Sequence, residues 1–191
     1  MVLCVLGLLA LVFLRPDSGY KEQVARNNCV RNLKNLGFAF RVFATDHADR
    51  FPSEVLATNG LDPNSIPIQS IYLALSNGLF SPNLLCCPAD SERRPATSFQ
   101  ALTAKNISYF VGLSADETKP QSLLAGDRDL NTNGVSVGPG VLTIATNMIV
   151  SPGQKIHRWG MDVAMGDGSV QRFTTNRIRG QMLEGQRLLI P

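Results

Sequence analysis

The four cysteines are the first residues in this chain that could do chemistry. Cys29 and the adjacent pair Cys86-Cys87 lie in the body of the chain, whereas Cys4 lies in an apolar run near its start. The chain has only two histidines, and neither has the spacing to a cysteine pair that a zinc motif requires. Two states remain open, namely buried free thiols or one disulfide from Cys29 to Cys87 or Cys86. A disulfide would require an oxidising compartment such as the periplasm.

His157 and Asp167 form a second candidate group, because an imidazole and a carboxylate together can act as acid and base. The pair supplies no nucleophile, and a catalytic triad would need a third group within reach. A structural interpretation is stronger. His157 would begin a strand, Asp167-Gly168 would make the turn that follows it, and a side-chain bond would brace the hairpin. We therefore predict that these residues are structural and that the protein is not an enzyme.

Oxygen-bearing side chains alternate along a third segment, as they do in calcium-binding loops: Asp127, Asp129, Asn131 and Asn133. An EF-hand needs glycine at the sixth loop position and glutamate at the twelfth. Here Gly134 would be eighth, so the EF-hand pattern fails. A solvated turn rich in Asp and Asn explains the segment better than a looser Ca²⁺ site. No cofactor is therefore predicted.

Composition limits the class of protein that carries these residues. The chain has 191 residues, of which 44% are hydrophobic, and this is a length for one folded domain rather than a disordered chain. The net charge of only +3 argues against a nucleic-acid-binding protein. No phosphate-binding loop, hydrolase or dinucleotide fingerprint is present, so the sequence identifies no small-molecule substrate.

Residues 2–14 are uninterruptedly apolar. A helix that spans a bilayer needs about 20 residues, so this run is short for a complete span. A membrane anchor that lacks its first residues and a buried core helix both fit the run, and we favour the anchor. The basic residues that follow it would keep the body cytoplasmic under the positive-inside rule, unless a basic leader preceded Met1.

An amphipathic helix is predicted over residues 15–46, because apolar residues recur there at spacings of four, three, four and three: Cys29, Leu33, Leu36, Phe40 and Phe43. Gly37 interrupts this pattern and suggests a close backbone approach. Residues 47–191 carry turn signals, a short helix near 70–76 and an optional final helix over 175–187. Strands are expected at 107–112, 122–125, 141–144, 161–165 and 170–173. The fold class is thus α+β, a long N-terminal helix packed on a small antiparallel sheet.

Three segments resemble the pseudopilin-like proteins of bacterial type II secretion, in particular the large prepilin-type group of Planctomycetes and Verrucomicrobia. The helix from Cys29 through Asn32 to Gly37 resembles their C-x-x-N-L-K-x-[IL]-G segment. Residues 85–90 resemble their C-P-x-D loop, and His157 with Asp167-Gly168 reproduces their H-x9-D-G signature. The start of the chain departs from the group, since it has no Gly-Phe junction at which a prepilin peptidase would cleave.

The resemblance implies a pilin-like fold and a structural role in a type II secretion or type IV pilus-like assembly. The expected protein is a single-pass subunit of the bacterial inner membrane with residues 47–191 as a periplasmic head. Its partners would be the membrane and other pseudopilin subunits, contacted through the N-terminal helix. Major pseudopilins bind calcium in a C-terminal loop, which keeps the Ca²⁺ loop as a minor expectation. The alternative is an exported surface or periplasmic binding module with a pilin-like head.

Overall fold

The computed structural model describes residues 18–158, 160–174 and 183–191. The predicted membrane anchor over residues 2–14 therefore lies outside the described residues, as do the first residues of the predicted helix. Among the helices that are described, none is both long enough and apolar enough to cross a bilayer.

The first helix, α1, runs over Ser18–Asp46 and carries the predicted apolar stripe. Four members of the stripe are completely buried, namely Cys29, Leu33, Leu36 and Phe40. The helix ends at Asp46, as the sequence predicts. Just beyond it, Ala48 and Asp49 adopt left-handed backbone conformations. Residues 19–28 are not buried, so Cys29 is the first residue of α1 to enter the core.

In the described part of the chain, nine strands follow α1 and form two antiparallel sheets. In chain order they are β1 Tyr109–Gly112, β2 Leu123–Asp127, β3 Leu130–Thr132, β4 Val135–Ser136, β5 Gly140–Thr143, β6 Val150–Pro152, β7 Met161–Met165, β8 Val170–Phe173 and β9 Arg187–Ile190. The larger sheet has the order β5-β9-β1-β2-β7-β8, and the smaller has the order β4-β3-β6. The α+β class is confirmed, whereas the expectation of a small sheet is wrong, because the main sheet has six strands.

Short helices occupy the part of the sequence between α1 and the first strand. They are α2 Pro52–Thr58, α3 Ile68–Ala74, and 3-10 turns at Pro82–Leu85, Phe99–Ala101 and Ala104–Asn106. Helix α3 is the short helix predicted near residues 70–76. Its Tyr72 hydroxyl donates a hydrogen bond to the Tyr109 carbonyl at 3.2 Å, which ties this segment to β1.

The main sheet is buried on both faces. Alternate residues of β1 point in opposite directions, so Tyr109 and Val111 join the core that includes α1, while Phe110 joins a second core on the other face. Every residue of β1, β2 and β7 is buried. This two-sided burial explains why residues 123–125 of β2 are a continuous apolar run rather than an alternating pattern.

The last strand differs from the sequence-based expectation. The predicted helix over residues 175–187 lies partly outside the described residues, and its described end is a turn that leads into β9. Strand β9 lies between β5 and β1 in the main sheet. A four-residue run at the end of a chain has no period from which its state could be recognised, so only the pairing with distant strands defines it.

Helix α1 crosses the sheet beside the turn between β7 and β8. A Cβ atom on Gly37 would lie 3.5 Å from the Cα of Gly168, which confirms the predicted close backbone approach. Gly168 has a φ of +81°, and the backbone N–H of Ser169 donates to Asp167 Oδ1 at 2.8 Å. Arg41 donates to the carbonyl of Asp167 at 3.0 Å. The predicted turn at Asp167-Gly168 is thus confirmed, and α1 is fastened to it.

Gly112 offers a test of how closely β1 and β2 pack. A Cβ atom there would lie 1.7 Å from the carbonyl oxygen of Leu123, a backbone atom that cannot move aside. We expect Gly112→Ala to lower the free energy of unfolding by about 3 kcal/mol. That loss corresponds to a Tm lower by about 6–12 °C for a chain of this size, measured by circular dichroism.

Gly138→Ala is the matched control, because a Cβ atom at Gly138 meets nothing within 4 Å. It should leave the Tm unchanged or slightly higher. Equal melting temperatures for the two variants would contradict the close approach of β1 to β2.

Candidate functional site

Four side chains that could bind a metal ion or react meet in the core beneath α1: Cys29, Cys87, Asp127 and His157. Their sulfur, oxygen and nitrogen atoms all lie within 4.8 Å of one another. Each residue is at most 3% exposed. We call these four residues the buried cluster.

Two members of the buried cluster are placed by the register of secondary structure. Asp127 is the last residue of β2 and lies directly opposite Tyr109 of β1, so both side chains point toward α1. Cys29 is the helix residue that meets them. Its sulfur lies 3.3 Å from the Tyr109 hydroxyl, and its thiol donates to Asp127 Oδ1 at 3.2 Å.

The other two members come from loops. His157 lies between β6 and β7, and its Nε2 is 3.5 Å from Cys87 Sγ and 3.8 Å from Asp127 Oδ2. Its Nδ1 is buried without a hydrogen-bond partner, so only the Nε2 side of the ring has polar partners. The predicted bond between His157 and Asp167 is therefore wrong. His157 precedes β7 rather than beginning it, and Asp167 is on an exposed turn.

A further shell of polar groups holds the buried cluster in place. The backbone N–H of Asp162 donates to Asp127 Oδ2 at 2.8 Å, and the Asp162 carboxylate pairs with Arg26 of α1 at 3.2 Å. One turn beyond Cys29, the amide of Asn32 donates to the carbonyl of Cys86 at 3.3 Å. The helix is thus bonded both to the sheet and to the loop that carries Cys87.

That loop is fixed at its far end by a buried ion pair. Arg128, the residue after Asp127, donates to both carboxylate oxygens of Asp90 at 2.8 and 3.0 Å. A second carboxylate, from the half-exposed Glu92, accepts from the same guanidinium at 2.7 Å. The two-pronged geometry of arginine suits such a carboxylate pair. Residues 86–90 are therefore held between α1 and the end of β2.

The two thiols of the buried cluster differ in acidity. The nearby Cys29 thiol and the bond with His157 lower the pKa of Cys87 to about 5, against the effect of its burial. Burial raises the pKa of Cys29 well above its ordinary value. Burial also raises the pKa of Asp127 to about 7. Near neutral pH, Cys87 is thus the thiolate and Cys29 the thiol that donates to its neighbours.

Burial alone would lower the pKa of His157. The bond with Cys87 and the charges of Asp127 and Cys87 outweigh that effect and raise it above the ordinary value. His157 therefore holds its proton to a higher pH than a free imidazole does, and that positive charge is favourable beside Asp127 and Cys87.

The described cysteines are free thiols, and none forms a disulfide. Of the two pairings left open by the sequence, only Cys29 with Cys87 brings the sulfurs together. The Cys86 sulfur instead accepts a hydrogen bond from the Ser108 hydroxyl at 3.8 Å. Of the two states left open by the sequence, this structure therefore has the free thiols, although Cys29 and Cys87 are neighbours.

The Ca²⁺ loop kept as a minor expectation, which comprises Asp127, Asp129, Asn131 and Asn133, finds no support among the described residues. Asp127 belongs to the buried cluster. Asp129 accepts backbone N–H groups from Lys155 at 2.6 Å and Ile156 at 3.4 Å, so it caps the turn before His157. Asn133 accepts from the backbone N–H of Ile149 at 2.9 Å, and Asn131 of β3 is paired with the neighbouring strand β4. Three of these side chains therefore serve separate networks.

Sequence reasoning named all four members of the buried cluster but assigned them different roles. It did not bring Asp127 together with the other three residues, and it missed Tyr109 and Arg128 beside them. A signal was present, since Asp127-Arg128 follows the buried residues Leu124 and Ala125 and so ends a core strand with two charges. A charge at the end of a buried strand needs a partner, but the sequence does not say which one.

The fold and the site define an α+β protein with a sulfur-rich polar cluster enclosed between a helix and a sheet. No protein-family model matches the chain, and no curated protein or solved structure is significantly similar to it.

The ion pair of Asp90 and Arg128 gives a pH-dependent prediction. Burial alone would raise the pKa of Asp90, but Arg128 holds it below its ordinary value. A carboxyl group whose pKa is lower in the folded state stabilises the folded protein fully at a pH above its unfolded-state pKa of about 3.9. This contribution is lost as the pH falls through the folded-state pKa. We expect Asp90→Asn to lower the free energy of unfolding at pH 7 by about 3 kcal/mol.

The difference in the free energy of unfolding between the wild-type protein and Asp90→Asn should shrink as the pH falls from about 4 toward the folded-state pKa of Asp90. Urea unfolding at several pH values measures it. Glu92→Gln is the control, because Glu92 binds the same guanidinium from a half-exposed position and should change stability little. A loss for Asp90→Asn that is independent of pH would show that the ion pair is not its cause.

Proposed function

We propose that this protein is a membrane-anchored, pseudopilin-like structural subunit of a type II secretion or type IV pilus-like assembly, with its head in the periplasm. The observation that carries the proposal is the division of α1 into two parts. From Cys29 onward one face of the helix is buried in the head. None of residues 19–28 is buried, although the partly buried Arg26 pairs with Asp162. The apolar run of residues 2–14 lies just before this unburied part in the sequence.

A structural subunit of this kind acts by packing against its neighbours, and α1 carries apolar side chains where such packing would occur. Tyr20 is 66% exposed and Val24 is 40% exposed. They are four residues apart, so they lie on the same side of the helix. Ten helical residues measure about 15 Å, which is enough for this part of α1 to contact a neighbouring helix beside the head.

The buried cluster supports a structural role rather than a catalytic one. Its four residues are at most 3% exposed, so a substrate has no access to the Cys87 thiolate. Two open surface clefts among the described residues are lined by other side chains, among them Glu54 and Lys119 in one and Arg93 and Lys155 in the other. The cluster instead joins α1 to the sheet and to the loop of residues 86–90.

Deleting residues 1–14 tests the anchor. We expect the full chain to sediment with membranes and to require detergent for release, because its apolar run is inserted there. The deleted protein should appear as a soluble monomer of about 20 kDa in size-exclusion chromatography coupled to light scattering. A deleted protein that still pellets or forms filaments, or a full chain that is soluble without detergent, would contradict the proposal.

The contact between helices has its own test. We expect Tyr20→Glu combined with Val24→Glu to reduce chemically cross-linked oligomers in membranes at least tenfold, since buried charges oppose helix packing. Leu61→Glu is the matched control, because Leu61 is an apolar head residue that is 41% exposed and lies outside α1. Equal cross-linking in all three proteins would argue against assembly through α1 and for a separate binding module.

A further inference from the structure

We propose that the buried cluster is a zinc site, in which Cys29, Cys87, Asp127 and His157 bind one Zn²⁺ as its four ligands. The proposal is independent of the proposed function, because it concerns only how the head is held together. It assigns a metal to residues that the sequence would assign to a disulfide, a hairpin brace and a calcium loop.

The distances within the buried cluster are close to those of a tetrahedral zinc site. Zinc lies about 2.3 Å from cysteine sulfur and about 2.0–2.2 Å from nitrogen or oxygen, so the ligand atoms of a tetrahedron are about 3.3–3.8 Å apart. Here Cys29 Sγ is 3.2 Å from Asp127 Oδ1, and Cys87 Sγ is 3.5 Å from His157 Nε2. The other carboxylate oxygen of Asp127, Oδ2, is 3.8 Å from the same nitrogen. No pair of the four ligand atoms exceeds 4.8 Å. Small side-chain movements would therefore enclose the ion.

The donor set and its burial define the kind of site. Two sulfurs, one imidazole nitrogen and one carboxylate oxygen suit zinc, whereas calcium and magnesium require oxygen ligands. All four residues are at most 3% exposed, which leaves no open position for a bound water. A closed four-ligand site is typical of structural rather than catalytic zinc.

Groups around the buried cluster already orient the ligands, as the surroundings of metal ligands do in known sites. The backbone N–H of Asp162 holds Asp127 Oδ2 at 2.8 Å. Asp127 Oδ1, which accepts from the Cys29 thiol at 3.2 Å, would face the metal once that thiol has lost its proton. The Tyr109 hydroxyl lies 3.3 Å from the sulfur of Cys29. Asn32 fixes the backbone just before Cys87 through the Cys86 carbonyl.

Zinc would use the whole cluster, whereas a disulfide would use half of it. A bond between Cys29 and Cys87 would leave the Asp127 carboxylate and the His157 ring as a buried pair beside it. Zinc binds all four groups and offsets the negative charge of two thiolates and one carboxylate. Binding releases to the solvent the proton of Cys29 and any protons that His157 and Asp127 carry, and it oxidises nothing. The ion would join four segments of chain, namely α1, the loop of residues 86–90, the end of β2 and the loop before β7.

The test uses the full chain, purified in detergent with a reductant, given one equivalent of ZnCl₂ and passed through a desalting column. Inductively coupled plasma mass spectrometry should find about one zinc per chain for the wild type and for Cys86→Ser. Cys86 is the matched control, since its buried sulfur lies next to Cys87 in sequence but outside the cluster. Cys87→Ser should retain at least tenfold less zinc, and Asp127→Asn should also retain less.

A second measurement needs no variant and so holds even where a substitution prevents folding. Wild-type protein loaded with Co²⁺ should show thiolate-to-cobalt charge transfer in the near ultraviolet and the visible bands of tetrahedral cobalt. Three results would overturn the proposal. They are reduced wild-type protein that retains no zinc, cobalt bands of an octahedral oxygen site, and equal zinc in Cys86→Ser and Cys87→Ser. If the protein in the reductant binds no metal and its intact mass is still two hydrogens below the calculated mass, the two cysteines form a disulfide instead.

Discussion

Ionisable groups buried between α1 and the main sheet impose the strictest constraint on this molecule. A buried polar group costs free energy unless it is hydrogen-bonded, and a buried charge costs more unless it is paired. Each carboxylate under the helix meets this requirement in a different way. Asp127 accepts from Cys29 and from the backbone of Asp162, Asp162 pairs with Arg26, and Asp90 pairs with Arg128. Because these partners come from distant parts of the chain, satisfying them fixes the position of α1 on the sheet.

The apolar core alone would not fix that position so closely. Burial of apolar surface is strongly favourable but non-directional, so a helix that packs only through leucine and phenylalanine can shift along its groove. Hydrogen bonds and ion pairs tolerate only a narrow range of distance and angle. Leu33, Leu36 and Phe40 therefore supply most of the driving force for docking α1, while Arg26, Cys29 and Asn32 set its register.

The sequence predicted the parts of the fold that follow from local pattern. The stripe of α1 and the turn at Asp167-Gly168 depend on residues near one another in the chain, and both are confirmed. The strand β9 and the size of the main sheet depend on pairing between distant segments, which no local period reveals. The α+β class could be predicted because a helix followed by many short strands has few other arrangements.

The pairing of His157 failed for the same reason. Asp167 is near it in the sequence, but Asp127 is its neighbour in space, because β2 and β7 are adjacent antiparallel strands. Likewise the segment of Asp127, Asp129, Asn131 and Asn133 has the alternation of a ligand loop, yet it begins in a buried strand. Asp127 therefore belongs to the buried cluster because of its position in the folded chain, which its local sequence pattern does not indicate.

The position of the buried cluster on α1 has a mechanical consequence for the proposed subunit. Cys29 is the first residue of the helix to be buried, so the cluster lies where the helix leaves the head. A force applied along the helix, by the membrane or by neighbouring subunits, enters the head at this point. Directional bonds from Arg26, Cys29 and Asn32 to three separate segments resist displacement there, where apolar contacts would allow sliding. A metal ion at the same place would extend this resistance to the loops, because its four ligands move only together.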